Sequence, residues 1–337
     1  MAIRNDTTIN NGATSQYILM KEFLEAGKSI DIFDAFFESK PVDTNMGTEV
    51  HFSRMNNPTV DTNPSNGTTN KAPRAFTRTD YTTTLNEYNE ADAIARREYQ
   101  LSQLNTLKAS AKTLDYLVKE TRQAIRFNVL KAGTNVFFNS LAVSSRGSVN
   151  GTITTAVLER VYATLRNNRA MFVFNKVNAT NAYNTTGVES AFRCAVNPDI
   201  TKDLRALPGW MSPKEYQAES NEVGAWGNFR FFESPTCAPY ANAGAASTTL
   251  KSTGATGVTS GNCDVYPIIV VGQMAAAAIP LTGTGKRGLG NVVTDVLDKA
   301  DKSDIHNKTI ITTATWHDYA LITCQEWMAV IEVGASR

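Results

Sequence analysis

A long run of apolar residues at helical spacing lies between positions 104 and 133. The apolar side chains recur every three or four residues, at Leu104, Leu107, Ala111, Leu114, Val118, Ile125 and Val129. Lys131 and Gly133 follow them, and a basic last turn before a glycine is typical of a helix end. The pattern predicts one helix of about 30 residues, roughly 45 Å long. Because this exceeds what a single compact core needs, we expect a spine helix on which sheets pack.

The segment before this helix predicts a projecting hairpin. Residues 48–54 alternate apolar and polar side chains, which is the period of a half-exposed strand. Residues 56–71 are mainly Asn, Thr, Pro, Gly and Ser, and residues 76–85 return to Thr-rich and Tyr-containing strand character. The charged run at 87–98 indicates a solvated surface.

The segment after the helix mixes helices and strands. Helical patterns occur at 155–167 and 199–207, and strand patterns occur at 192–196, 229–233, 265–271, 308–316 and 319–333. The Ala-, Gly-, Ser- and Thr-rich stretch at 238–261 predicts an exposed loop. Together these patterns predict the α+β class.

The first 47 residues look like an arm and not like a domain. An amphipathic stretch at 17–26 precedes an apolar run at 30–37 that contains Phe33, Phe36 and Phe37. This segment is too short to bury three aromatic rings by itself. We therefore expect the rings to pack against another element or another subunit.

Charge and hydropathy exclude several functions. Lys and Arg total 33 against 32 Asp and Glu, so the net charge of +1 does not favour tight DNA binding. Arg122, Arg126 and Lys131 lie towards the carboxyl end of the spine helix, where dipole complementation and solvation explain them. The start of the chain lacks a signal-peptide pattern, and the longest apolar stretch is interrupted by Pro and Gly, so we expect a cytoplasmic product without a membrane partner.

No catalytic, metal or cofactor site is predicted. The four cysteines show no C-x-x-C spacing, and Cys237 and Cys263, which flank one loop, are expected to stay thiols in a reducing cytosol. GTGKRG at 283–288 has dinucleotide-loop spacing but lies late in the chain and after Pro280, which favours a basic turn. Aspartates at 295, 298, 301 and 304 could align on a helix around a cation, but Lys299 and Lys302 favour a solvated surface.

Four stretches resemble one family of tailed-phage major capsid proteins. They are LKAGTNVFF at 130–138, VNPD with DLR at 196–205, EVGAWGNFRFFE at 222–233, and VYP, VG, Trp327 and IE spread over 265–332. The third is the most specific, because it follows the pattern E-V-G-x-x-G-x-x-R-F-x-E in register. The chain departs from the family at Asn197, where the family has histidine, and at 304–311, where a glycine-containing turn is absent.

The resemblance covers roughly residues 17–333 and implies the shell fold shared by tailed phages, encapsulins and the herpesvirus capsid floor. It implies an N-terminal arm at 1–47, an extended hairpin loop at 48–86 and a peripheral domain with the spine helix at 87–154. An axial domain would follow at 155–307, and C-terminal strands at 308–337 would return to the peripheral domain.

The implied function is a non-enzymatic major capsid protein without a cofactor, which self-assembles as pentamers and hexamers into an icosahedral virion shell in the host cytoplasm. Portal, scaffolding and decoration proteins are the implied partners, and the shell would enclose DNA without binding it tightly. The expected inter-subunit contact residues are Phe33, Phe36, Phe37, Phe52, Arg54, Lys71, Arg74, Arg78, Trp226 and Phe229.

Some relatives form a covalent cross-link from a hairpin lysine. Lys71 is the only lysine of the hairpin, and we expect no cross-link, since the sequence places no acid beside it. Three alternatives stay open: an encapsulin-like compartment, an unrelated enzyme or sugar-binding protein, and a tail-tube or other phage structural protein.

Overall fold

The computed structural model describes residues 30–43, 49–56, 58–64, 67, 73–95, 106–178, 187–216, 218–253, 261–280, 293–299 and 309–337. Lys71, the amphipathic stretch at 17–26 and the glycine-rich stretch at 283–288 lie outside these residues.

Three α-helices and seventeen strands make up the described part of the chain. The helices are α1 (Thr106–Lys131), α2 (Thr155–Asn167) and α3 (Pro198–Arg205). The strands of the first half are β1 (Glu38–Ser39), β2 (Glu49–Met55), β3 (Arg78–Thr84), β4 (Asn86–Ala95), β5 (Val136–Phe138), β6 (Phe192–Val196), β7 (Trp210–Met211) and β8 (Glu222–Trp226). The remaining strands are β9 (Phe229–Glu233), β10 (Ala246–Ser247), β11 (Gly261–Asn262), β12 (Tyr266–Val271), β13 (Ala276–Ala278), β14 (Val293–Lys299), β15 (Thr309–Asp318), β16 (Ala320–Ile322) and β17 (Met328–Val333).

A seven-stranded mixed sheet in the order β5-β17-β12-β6-β9-β8-β7 forms the centre of the fold. Strands β12 and β17 are buried on both faces, as their continuous Val and Ile content predicts. Helices α2 and α3 cover one face, where Leu158, Leu165 and Leu204 are fully buried. The end of α1 and the segment that begins at Ile30 cover the other face. The sheet therefore separates two apolar layers.

Helix α3 begins where its sequence dictates. The Asn197 side chain accepts a hydrogen bond from the Asp199 backbone N–H at 2.9 Å, and Pro198 occupies the first turn. Both are standard features of a helix start. Asparagine at the position where the family has histidine thus serves here as the helix cap.

The spine helix α1 carries a second, smaller sheet. Strands β14, β15 and β4 form this antiparallel sheet. Trp316 of β15 is buried beside Val118 of α1 and stacks on Tyr88, with ring centroids 5.6 Å apart. The predicted spine is therefore present, and its amino-terminal half supports the peripheral sheet while its carboxyl end packs on the central sheet.

The sheet memberships of several strands differ from the predicted division of the chain. Strands β5 and β17 lie in the central sheet, although their residues were placed with the peripheral domain, whereas β15 and β4 pack beside α1 in the second sheet. The run at 319–333 is two strands separated by a 3-10 turn at Gln325–Trp327. Each strand joins the sheet in which its apolar side chains are buried by the covering layers, and local sequence patterns do not show which sheet that is.

The segment at 238–253 is less exposed than predicted. Leu250 is buried and bridges to Ser336, and the Lys251 backbone N–H donates to the Ala335 carbonyl at 2.8 Å. Asp295 and Asp298 lie in strand β14, so the helical alignment that would have grouped the aspartates around a cation does not form there, while Asp301 and Asp304 lie outside the described residues.

Candidate assembly surfaces

The hairpin of β2 and β3 presents apolar side chains to solvent. Its strands pair antiparallel from Glu49 opposite Thr84 to Met55 opposite Arg78. Met55, Val60 and Phe76 are 62, 73 and 67% exposed. Two strands alone do not make a core that can bury such groups, so the hairpin is a candidate contact surface for a second molecule.

The predicted contact residues of the hairpin divide into two groups. Arg54 lies over the Trp327 ring, 4.7 Å from its centroid, and Lys40 lies 5.5 Å from the centroid of Phe52. Arg74 pairs with Asp61 at 3.4 Å, and Arg78 pairs with Asp80 at 2.9 Å. Phe52 and Arg54 thus contact side chains elsewhere in their own subunit, while Arg74 and Arg78 pair with aspartates of the hairpin itself.

The three phenylalanines of the arm are not available to a neighbour. Phe33, Phe36 and Phe37 are all buried within their own chain. The Phe33 ring packs against Phe127 of α1 with centroids 5.7 Å apart. Of the two expected partners, another element or another subunit, the structure shows the first, because α1 and the central sheet supply the burial that the short arm lacks.

A buried ionic network holds the arm against the spine helix. Asp318 at the end of β15 lies 3.4 Å from Arg122 Nε and 3.5 Å from Arg126 Nη2. Arg126 also pairs with Asp34, and Gln123 Nε2 donates to Asp34 Oδ1 at 3.0 Å. Burial lowers the pKa of Arg126, and the two aspartates offset part of that effect. Three distant parts of the sequence meet at this network.

This network corrects the interpretation of the basic groups on the spine helix. Arg122 and Arg126 are almost fully buried and ion-paired, so they are not solvated. Lys131 lies 3.7 Å from the centroid of the Tyr240 ring, which Arg146 also contacts. The position of Arg126 near the helix end predicted an interaction with the helix dipole. The carboxylates that bind it instead belong to residues about 90 and 190 positions away in the sequence.

The EVGAWGNFRFFE motif forms the hairpin of β8 and β9. Glu222 lies 3.9 Å from Arg230 and accepts a hydrogen bond from the Tyr216 hydroxyl at 2.6 Å. Burial raises the pKa of Glu222. A Cβ on Gly224 would lie 2.3 Å from Trp210 Cζ2, and Gly227 turns the chain with φ of +53°. The spacing of the motif thus follows from one tight turn, one close approach and one buried ion pair.

The two predicted ring contacts of this motif differ in access. Phe229 is fully buried among Tyr162, Phe192 and Phe231, so it is unavailable to a neighbouring subunit. Trp226 is half-buried, and its Nε1 donates to the Pro208 carbonyl at 2.8 Å. Phe229 lies in the core because β9 is an inner strand of the sheet, while Trp226 keeps an accessible edge.

Sequence reasoning missed Asp34, Asp318 and Glu332, which all bind arginines. A charged residue within an otherwise apolar strand, such as Glu332 in MAVIEV, was an available signal. Across the described residues, no three His, Cys, Asp or Glu side chains are grouped to hold a metal ion. In the same part of the chain no helix combines the length and hydropathy of a membrane span.

Comparison with known proteins identifies the fold. No protein-family model and no curated protein matches the sequence. Among solved structures, the capsid of Ralstonia phage GP4 superposes with a TM-score of 0.67 at 14% identity, covering 96% of both chains. The cyanophage Pam1 capsid gives 0.60 at 10% identity, covering 97% of this chain and 100% of that one. The SrpI encapsulin of Synechococcus elongatus gives 0.56 at 9% identity, covering 100% and 98%.

These likenesses define the class of protein to which the fold belongs. The chain has, over nearly its full length, the shell fold that phage capsids and an encapsulin share. The fold is thus the one seen in the Ralstonia phage GP4 and cyanophage Pam1 capsids, so the shell fold that the four sequence motifs imply is confirmed.

Proposed function

We propose that this chain is the major capsid protein of a tailed phage and builds the icosahedral shell around the viral DNA. The observation that carries the proposal is the superposition over 96% of both chains with the Ralstonia phage GP4 capsid. A shared fold at such low identity does not by itself define a function. The four family motifs and the apolar hairpin supply the rest of the argument.

The mechanism is assembly without catalysis. In a ring, one surface of each subunit contacts a different surface of the next subunit. The ring closes when the rotation that relates neighbouring subunits is a whole-number fraction of a full turn. We infer that the hairpin is one of these surfaces, with Arg74 and Arg78 beside its apolar groups, and that the accessible edge of Trp226 belongs to a second. We infer no cross-link through Lys71. Portal, scaffolding and decoration proteins are the partners we propose, in a virion assembled in the host cytoplasm.

The genome would be enclosed and not tightly bound. A net charge of +1 supplies no strong attraction for DNA, and Arg122 and Arg126 of the spine helix are ion-paired with aspartates of the same chain. This proposal predicts capsomers that do not bind duplex DNA at physiological salt.

The test is to express the full chain and examine the product by size-exclusion chromatography and electron microscopy. Pentamers, hexamers or closed shells support the proposal. A folded monomer at high concentration, with or without scaffolding protein, contradicts it.

An encapsulin-like compartment is the second candidate, because SrpI covers 100% of this chain. The contents of particles purified from their native source separate the two functions. Packaged DNA supports the capsid, whereas a packaged cargo protein without nucleic acid supports the compartment.

A further inference from the structure

An open groove lies between β8, the turn that follows β7 and the end of α3. Its apolar wall consists of Trp210, Pro213 and Val223, and the side chain of Ile30 lines the same groove. Ile30 is the first described residue, so the 29 residues that precede it in the sequence are joined to the described fold at the groove. The groove is therefore within immediate reach of the arm.

The groove carries uncommitted positive charge. Arg205 and Lys214 line it and are exposed, and within the described part of the chain neither has an ion pair. The two carboxylates of the groove are already engaged. Glu222 accepts from the Tyr216 hydroxyl at 2.6 Å and from the Glu219 backbone N–H at 2.9 Å, and Glu233 accepts from Thr201 Oγ1 at 2.7 Å. An occupant that is apolar on one side and acidic on the other fits these walls.

The stretch at 17–26, YILMKEFLEA, has this chemistry. Tyr17, Met20 and Leu24 follow helical spacing, while Glu22 and Glu25 bring two acidic groups against the single Lys21. Four Cα steps join Ala26 to Ile30 and span at most about 14 Å, which keeps the stretch close to the groove of its own subunit. A connection this short between two binding partners gives effective concentrations on the order of millimolar.

We propose that the groove binds residues 17–26 of the same subunit, with their apolar side on Trp210, Pro213 and Val223 and their carboxylates towards Arg205 and Lys214. The bound stretch covers the half-buried side chains of Trp210 and Pro213. The arm was expected to contact neighbouring subunits. This proposal assigns its amphipathic stretch to the subunit's own surface instead, and it does not depend on whether the particle is a capsid or a compartment.

The test uses full-length chains that carry Glu22→Cys together with Lys214→Cys, oxidised while unassembled. The four native cysteines are buried and compete little for disulfide formation. We expect an intrachain disulfide, identified by mass spectrometry of non-reduced peptides. The control pairs Glu22→Cys with Ser148→Cys, an exposed position that does not line the groove, and should give little of this product. The pair Glu25→Cys and Arg205→Cys serves if the first variant folds poorly.

A mixture of the two single variants, Glu22→Cys and Lys214→Cys, tests the rival occupant. A disulfide-linked dimer from this mixture, together with no intrachain product from the double variant, would assign the groove to a neighbour's arm and overturn the proposal. A yield no higher than the Ser148→Cys control would overturn it as well.

A charge reversal adds an independent readout. The background is a variant with the cysteine pair Tyr17→Cys and Pro213→Cys. In this background we expect Arg205→Glu together with Lys214→Glu to lower the disulfide yield about fivefold. Adding Glu22→Lys and Glu25→Lys should restore the yield. An unchanged yield, or no rescue, contradicts the charge complementarity on which the proposal rests. Electron microscopy of the same variants reports on shell formation separately, so failure of the groove proposal and failure of the shell function are distinguishable.

Discussion

Arg146 binds the buried carboxylate of Glu332 with two hydrogen bonds, from Nε to Oε2 at 2.9 Å and from Nη2 to Oε1 at 2.5 Å. Glu332 is the single charged residue of β17, and its carboxylate is almost fully buried. This pair raises the pKa of Arg146. It also attaches the turn at Arg146–Ser148 to the inner strand β17 of the main sheet.

Replacing one partner of this pair should therefore destabilise the subunit. For Arg146→Ala we expect a loss of about 3 kcal/mol in the free energy of unfolding, because Glu332 would be left buried without its cation. Urea unfolding of the unassembled subunit measures it. The matched control is Lys176→Ala, whose exposed pair with Glu189 at 2.8 Å should contribute less than about 1 kcal/mol. Equal losses for the two variants would contradict the assigned role of burial.

The exposed apolar residues of the hairpin should matter for assembly and not for folding. We expect Val60→Ser with Phe76→Ser to leave the unfolding free energy within about 0.5 kcal/mol, since neither side chain is buried in the subunit. Shell yield by electron microscopy should fall at least about tenfold, because interface contacts of large apolar groups are lost. Leu141→Ser, at an exposed leucine outside the hairpin, is the control and should assemble normally. Normal shells from the hairpin variant would show that the hairpin is not the contact surface.

Gly224 should not tolerate a side chain. A Cβ at this position would lie 2.3 Å from Trp210 Cζ2 and 2.7 Å from the Met211 carbonyl oxygen. We expect Gly224→Ala to cost about 1–3 kcal/mol of stability, as overpacking does, and to increase hydrogen exchange in β7. Gly147→Ala is the control, because its nearest neighbour would be 4.0 Å away. A wild-type exchange pattern in Gly224→Ala would contradict the close packing.

Acid should weaken the contact between Asp199 and Lys251. The hydrogen bond from Lys251, at 2.5 Å, lowers the pKa of Asp199, and a further bond from the Tyr266 hydroxyl at 2.8 Å adds to this effect. A carboxyl whose pKa is lower in the folded state stabilises the fold above its unfolded pKa of about 3.9, and this contribution is lost as the pH falls further.

The matching experiment compares Asp199→Asn with the wild type by urea unfolding at pH 7 and pH 3. We expect the variant to be less stable at pH 7 by under about 1 kcal/mol, because the pair is partly exposed and screened by solvent. The difference should shrink at pH 3. Asp203→Asn is a control without a basic partner in the described structure, since its carboxylate accepts from Ser336. A difference that grows towards pH 3 would refute the sign of the effect.

Local patterns were sufficient to predict most of the elements. The apolar spacing on α1 and the pattern of α2 depend on side chains three and four residues apart. The alternation of β2 is likewise visible in its exposed and half-buried residues. The resemblance of four motifs to one family then implied the shell fold, and the structure shows that EVGAWGNFRFFE forms a turn at Gly227 and a close approach at Gly224 within twelve adjacent residues.

The tertiary structure alone decided which residues are accessible. Phe33 and Phe229 appeared suited to a subunit interface, yet both are buried because layers from distant parts of the chain cover them. Arg126 appeared solvated, yet it meets Asp34 and Asp318 across 92 and 192 positions. The sequence by itself determined the helices, most of the strands and the class of fold, since these follow from short-range spacing. Burial and ion pairing depend on contacts between segments far apart in the chain, and these arise only when the two faces of the central sheet are covered.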